Sequence, residues 1–163
     1  MQILTCIVKC FNIIIMKHDF SQNISSFIDP VEEAPDNYEA AGRWWARQLL
    51  NPKFDNGGKD KTNLMSMQLS TLLASSKRAE IEPKIRDFSK ALSELLIKRG
   101  VFMVSVDYHP DQILADAAKT AGIEVDDIST FPWKTEMIIY DESVLVSEGP
   151  GAEFVQIWPP VEK

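Results

Sequence analysis

The chain has 163 residues, 45% of them hydrophobic and 25% charged, with 17 basic against 24 acidic side chains and a formal net charge of −7. That length supports one domain with a core needing neither disulfide nor metal staple, and the balance of apolar and charged residues excludes wholesale disorder. The acidity argues against binding along a nucleic-acid backbone, which depends on clustered Lys and Arg, and favours solubility, basic partners or imitation of nucleic acid.

Met1 to Ile15, M-Q-I-L-T-C-I-V-K-C-F-N-I-I-I, is apolar but too short to span a bilayer, and Lys9 and Asn12 interrupt it. It lacks the basic start and small-residue cleavage site of a signal peptide, so no membrane span is expected. Because Met16-Lys17 reads as a natural start, the first fifteen residues are expected to be an upstream extension. Both cysteines, Cys6 and Cys10, lie here, and the two histidines, His18 and His109, have no ligand-like spacing. No metal site, cofactor or disulfide framework follows from them, and a reducing cytoplasm is the expected compartment. From His18 to Pro35 the chain turns polar and then acidic, broken by Asp29-Pro30 and Ala34-Pro35. Residues 1–35 are therefore expected outside the core, leaving 36–160 as a single domain.

Asp36 with Glu39 three residues on has the form of a helix-capping box. Tyr38, Ala41, Trp45 and Leu49 follow at steps of three and four, Trp44 widens that face, and Asn51-Pro52 ends the helix. Pro52 to Lys61 is a loop by its Asn56-Gly57-Gly58 tip. A second helix is expected over Thr62 to Lys77, with Met65, Leu69, Leu72 and Leu73 inward. A third opens at Pro83, carries Ile85, Phe88, Leu92, Leu95 and Leu96 on one face, and closes at Lys98-Arg99-Gly100. Val101 to Val106 then reads as a buried strand. His109-Pro110 turns the chain into a helix with Ile113, Leu114, Ala117, Ala118 and Ala121 on one side and Gly122 as its stop. Glu136 to Tyr140 and Ser143 to Val146, joined at Asp141-Glu142, read as a β-hairpin, and Phe154 to Trp158 as a further strand ended by Pro159-Pro160. The expected class is α+β: a helical half, Asp36 to Gly100, packed on a small, mainly antiparallel sheet of three to four strands.

Motifs that would name a nucleotide binder, a serine hydrolase or a zinc enzyme are absent, as is the alternating spacing of a calcium loop. Three constellations remain. Asp107-Tyr108-His109 ends the central strand, where an Asp and a His can act as base and orienting partner; a helix-capping role explains Asp107 more plainly. Phe131-Pro132-Trp133-Lys134-Thr135 sets a lysine beside aromatics, as an anion contact or, if desolvated, a nucleophile; its plainer account puts Phe131 and Trp133 in the core. Trp44-Trp45 with Arg43 and Arg47, followed by the Asp55-Asn56 loop, combines the residue types enriched at binding hot spots. Adjacent tryptophans point about 100° apart on a helix, so burying both is hard for a single apolar stripe. The expected binding residues are Trp44, Arg47, Asp55 and Asn56, with Trp133 and Lys134 as the second candidate surface.

The run Y-E-A-A-G-R-W-W-A-R-Q-L-L-N-P-K-F-D-N-G-G, then V-S-V-D-Y-H-P-D, F-P-W-K-T-E-M and G-P-G-A-E, resembles small uncharacterised proteins encoded by phages and mobile elements of Gram-positive gut bacteria. The resemblance covers Tyr38 to about Glu153 and brings no functional residue with it. It implies a genomic setting in which small acidic proteins act by binding host proteins. The leading expectation is thus a non-enzymatic accessory protein that binds a host protein or a small ligand, counteracting host defence. A small metal-independent enzyme using Asp107, His109 and Lys134, or a structural or assembly subunit, are the alternatives.

Overall fold

A computed structural model describes residues 27–50, 76–125 and 130–161. The expected extension with its cysteines and His18, the loop with Asp55 and Asn56, and most of the expected second helix lie outside the described residues. Helix α1 (Asn37–Leu50) starts where its sequence predicts. Asp36 accepts the Glu39 N–H on its side chain at 2.8 Å and the Ala40 N–H on its carbonyl at 3.0 Å. The return half of the capping box is not made; Glu39 turns instead to Arg43, one helical turn on, at 2.5 Å.

Residues 76–81 are helical and run through a 3-10 turn (Glu82–Lys84) into α2 (Ile85–Arg99). The expected stripe of α2 goes inward, with Ile85, Phe88, Leu92 and Leu96 buried and Leu95 partly so. Gly100 closes the helix in the left-handed conformation (φ 61°), which lets its N–H reach Ile97 and that of Val101 reach Leu96. Gly122 repeats the arrangement behind α3 (Gln112–Thr120), with Ile123 N–H on the Ala118 carbonyl at 2.8 Å.

Between α2 and α3 lies β1 (Met103–Val106), and after α3 come β2 (Thr135–Tyr140), β3 (Ser143–Glu148) and β4 (Val155–Trp158). The sheet runs β1-β2-β3-β4, antiparallel throughout. The α+β class is therefore as expected. The strand–helix–strand unit β1-α3-β2 joins antiparallel neighbours and puts β1 at the edge of the sheet.

Helix α1 packs on α2 and across β2, β3 and β4, while α3 packs on α2. Seven consecutive residues of α1, Ala40 to Ala46, are buried, nearly two full turns. An interior helix has no outward stripe, so Trp44 (7% exposed) and Trp45 (0%) are both inside, correcting the expectation that one of them faces out. Gly42 sits where α1 and α2 come closest: a Cβ there would stand 2.6 Å from the Ser89 carbonyl oxygen and closer still to the Ser93 hydroxyl.

Two further expectations are corrected. Residues 27–35 belong to the core: Ile28, Val31 and Ala34 are buried, the Trp158 indole donates to the Ala34 carbonyl at 3.0 Å, and Arg43 donates to that of Pro30 at 2.8 Å. Asp107 does not cap α3. Pro110 folds back to bridge Val106, and Asp111 N–H bonds the Ser105 carbonyl, so the helix starts two residues later than Pro110 suggests and is capped by Asp111, whose side chain accepts from Ile113 N–H at 3.0 Å. Among the described residues no helix is long and apolar enough to cross a membrane.

Candidate functional site

Antiparallel pairing sets Val106 opposite Thr135, so the residue after β1 meets the residue before β2. These are Asp107 and Lys134, and they form an ion pair. The approach to β2 is anchored from inside. Phe131 is buried with its ring in contact with those of Trp45 (5.9 Å between centroids) and Phe88 (6.0 Å), and Pro132 is buried beside it. Lys134 then takes a left-handed backbone (φ 54°), unfavourable for a residue with a Cβ, and its carbonyl accepts the Gly149 N–H at 2.8 Å. Before that sharp turn, Phe131 lies in the core while Trp133 is exposed.

The Lys134 ammonium lies 5.0 Å from the Tyr108 ring centroid and 5.6 Å from that of Trp133, both within cation–π reach. Its hydrogen bond to Asp107 raises its pKa above the ordinary 10.5; partial desolvation opposes this, and the charges of Asp107, Tyr108 and Glu136 add to it. Lys134 is therefore an ammonium at neutral pH, the reverse of the deprotonated amine that a nucleophilic lysine needs.

The same parity carries Asp107 and Lys134 onto the outer face of the sheet. Val104, Val106, Thr135, Met137, Ile139, Val144 and Val146 alternate inward and are buried. Outward, Met103 lies opposite Ile138 and Ile138 opposite Leu145, an apolar row across three strands, with Tyr140 two residues beyond Ile138 along β2, opposite Ser143. Met103 is 50% and Tyr140 51% exposed, and Ile138 and Leu145 are half-buried. Acidic side chains border this row, Glu136 in the neighbouring row and Asp141 and Glu142 at the exposed hairpin turn, while Asp107 lies one row further away, paired with Lys134.

Of the residues expected to bind, Trp133 and Lys134 stand together at this corner. Trp44 does not: it packs edge-on against Trp45 at 4.9 Å within the core. Arg47 is half-buried, and its Nε has no hydrogen-bond partner among the described residues. Asp55 and Asn56 lie outside the described residues. For the enzyme alternative, Asp107 and Lys134 meet but His109 is exposed on the turn, where its carbonyl accepts the Asp107 N–H at 3.4 Å. Sequence reasoning missed Tyr108 and the outer row. The signal for that row was T-E-M-I-I-Y, in which apolar residues occupy both parities, whereas a strand with one solvated face alternates.

A cavity of 430 Å³ opens elsewhere, between residues 28–36, α1 and α2. Its charges are mixed, with Arg43 already engaged by Glu39 and the Pro30 carbonyl, and it contains none of the expected site residues. Among the described residues no group of three His, Cys, Asp or Glu side chains stands close enough to hold a metal. In comparisons with known protein families and with curated proteins, nothing matches this chain.

Proposed function

We propose that the protein is a non-enzymatic binding protein that docks a basic partner protein on the outer face of its sheet, as an accessory protein of a phage or mobile element acting on a host protein and so blunting host defence. The observation that carries this reading is the partly exposed apolar row Met103, Ile138 and Leu145, with Tyr140 beside it, bordered by Glu136 and the acidic hairpin turn. An apolar centre within a charged rim is how protein interfaces are built. The acidic rim and the net charge of −7 select a basic partner and speed its approach. The enzyme alternative draws on the Asp107–Lys134 contact, but that contact holds Lys134 protonated.

The test compares the full chain with a Met103→Glu, Tyr140→Ala variant, both shown to be folded by circular dichroism, as baits for host lysate. A partner held by the native chain and then measured by calorimetry should bind the variant more weakly by about 1–2 kcal/mol or more, the scale of interface hot spots. Equal affinity for the two folded baits would remove the sheet face from the reading.

A further inference from the structure

Lys134 fills a receptor that its neighbours build. Three groups converge on its ammonium: the Asp107 carboxylate and the rings of Tyr108, at 5.0 Å, and Trp133, at 5.6 Å. An anion and two ring quadrupoles attract the same cation from different directions, the arrangement by which proteins recognise alkylammonium groups. The walls of this receptor belong to the surface, for Tyr108 is 70% and Trp133 46% exposed and the Asp107 side chain is more than half exposed. We propose that Asp107, Tyr108 and Trp133 form a receptor for a lysine side chain of the partner protein, with Lys134 as a built-in competitor that leaves when the partner's lysine enters.

Several features support exchange at this corner. The backbone of Lys134 is held by the Gly149 hydrogen bond, so vacating the receptor takes only rotation of a flexible four-carbon stem, whose ammonium then gains full hydration. The occupant already in place is a lysine, which makes the site's dimensions those of an alkylammonium. A chain of net charge −7 draws basic segments toward the corner, where Glu136 adds to the negative field. Tethering gives Lys134 an effective concentration of roughly millimolar or higher, so a free lysine binds the native chain weakly until other contacts assist it. This inference rests on the docking reading, since the sheet face brings the partner, but it concerns residues other than Met103 and Tyr140.

The experiment uses no partner, so its failure is distinct from failure of sheet-face docking. The full chain and its Lys134→Met and Lys134→Gly variants are titrated with a capped short peptide holding one lysine, following the Trp133 indole N–H by NMR, assigned with Trp133→Phe. Glycine accepts the positive φ at position 134 without strain, so the second variant keeps the turn. Removal of the tethered competitor should tighten lysine-peptide binding about twofold or more, the gain expected when a competitor at roughly millimolar effective concentration leaves a site of similar dissociation constant. A matched peptide with norleucine in place of the lysine should not bind, and Asp107→Asn added to Lys134→Met should lose the gain. No tightening in a folded variant overturns the proposal, as does equal binding of the norleucine or an arginine peptide.

Discussion

Thr135 shows how one side chain serves two demands. It is fully buried on the inner face of β2, beside the turn that presents Lys134, and its hydroxyl has no hydrogen-bond partner among the described residues. An orphaned buried hydroxyl carries a desolvation penalty of about 1–3 kcal/mol, and valine has nearly the same shape and an equal liking for strands. Thr135→Val should therefore stabilise the fold by about 1 kcal/mol, a rise of roughly 2–4 °C in Tm for a chain of this size. Thermal melts read this directly, and a lower Tm would show that the hydroxyl is satisfied in solution. At the same scale Trp44 and Trp45 differ from Trp133 through surroundings alone. The first two lie on a helix enclosed over nearly two turns, while the third stands exposed between a buried Phe131-Pro132 and the left-handed Lys134.

At the scale of elements, capping decides where α3 begins. Two aspartates flank the turn after β1, and each has a role: Asp107 pairs with Lys134, whereas Asp111 accepts the Ile113 N–H. Asp111→Ala should cost about 0.5–2 kcal/mol, the usual effect of losing an N-cap. Asp107→Ala removes an exposed ion pair, and exposed pairs contribute about 0–1 kcal/mol. Urea denaturation of the two single variants separates them; the larger loss at Asp107 would return the cap to that residue. The helix ends follow the same local chemistry. Gly100 and Gly122 each adopt positive φ and let the next N–H reach back into the last turn.

At the scale of the whole molecule, the segment before α1 completes the core. Ile28 and Val31 are buried, and hydrogen bonds tie this segment to α1 through Arg43, to α2 through Arg86, and to β4 through Trp158. Truncating a buried isoleucine removes its transfer free energy and leaves a cavity, so Ile28→Ala should cost about 2–5 kcal/mol. A loss under about 1 kcal/mol in equilibrium unfolding would match the exposed-arm expectation instead, since surface substitutions fall within about 0.5 kcal/mol. This segment also packs against both α1 and β4, joining the helical layer to the edge of the sheet.

Local patterns in the sequence were enough to determine the α+β class, the inward stripe of α2, the glycine stops of α2 and α3, the hairpin at Asp141-Glu142 and the Asp36 cap. Each depends on interactions within about one helical turn or on strands adjacent in sequence, where periodicity and backbone preference act directly. The all-round burial of α1, the inclusion of residues 27–35 in the core and the meeting of Asp107 with Lys134 were decided only by tertiary structure. Polar residues such as Asp29, Glu32 and Glu33 made the arm look solvated, but three well-placed apolar side chains outweigh them once a groove is there to receive them. Asp107 and Lys134 are separated by all of α3 in sequence, and no local rule sets the antiparallel register that places one at the end of β1 against the other at the start of β2.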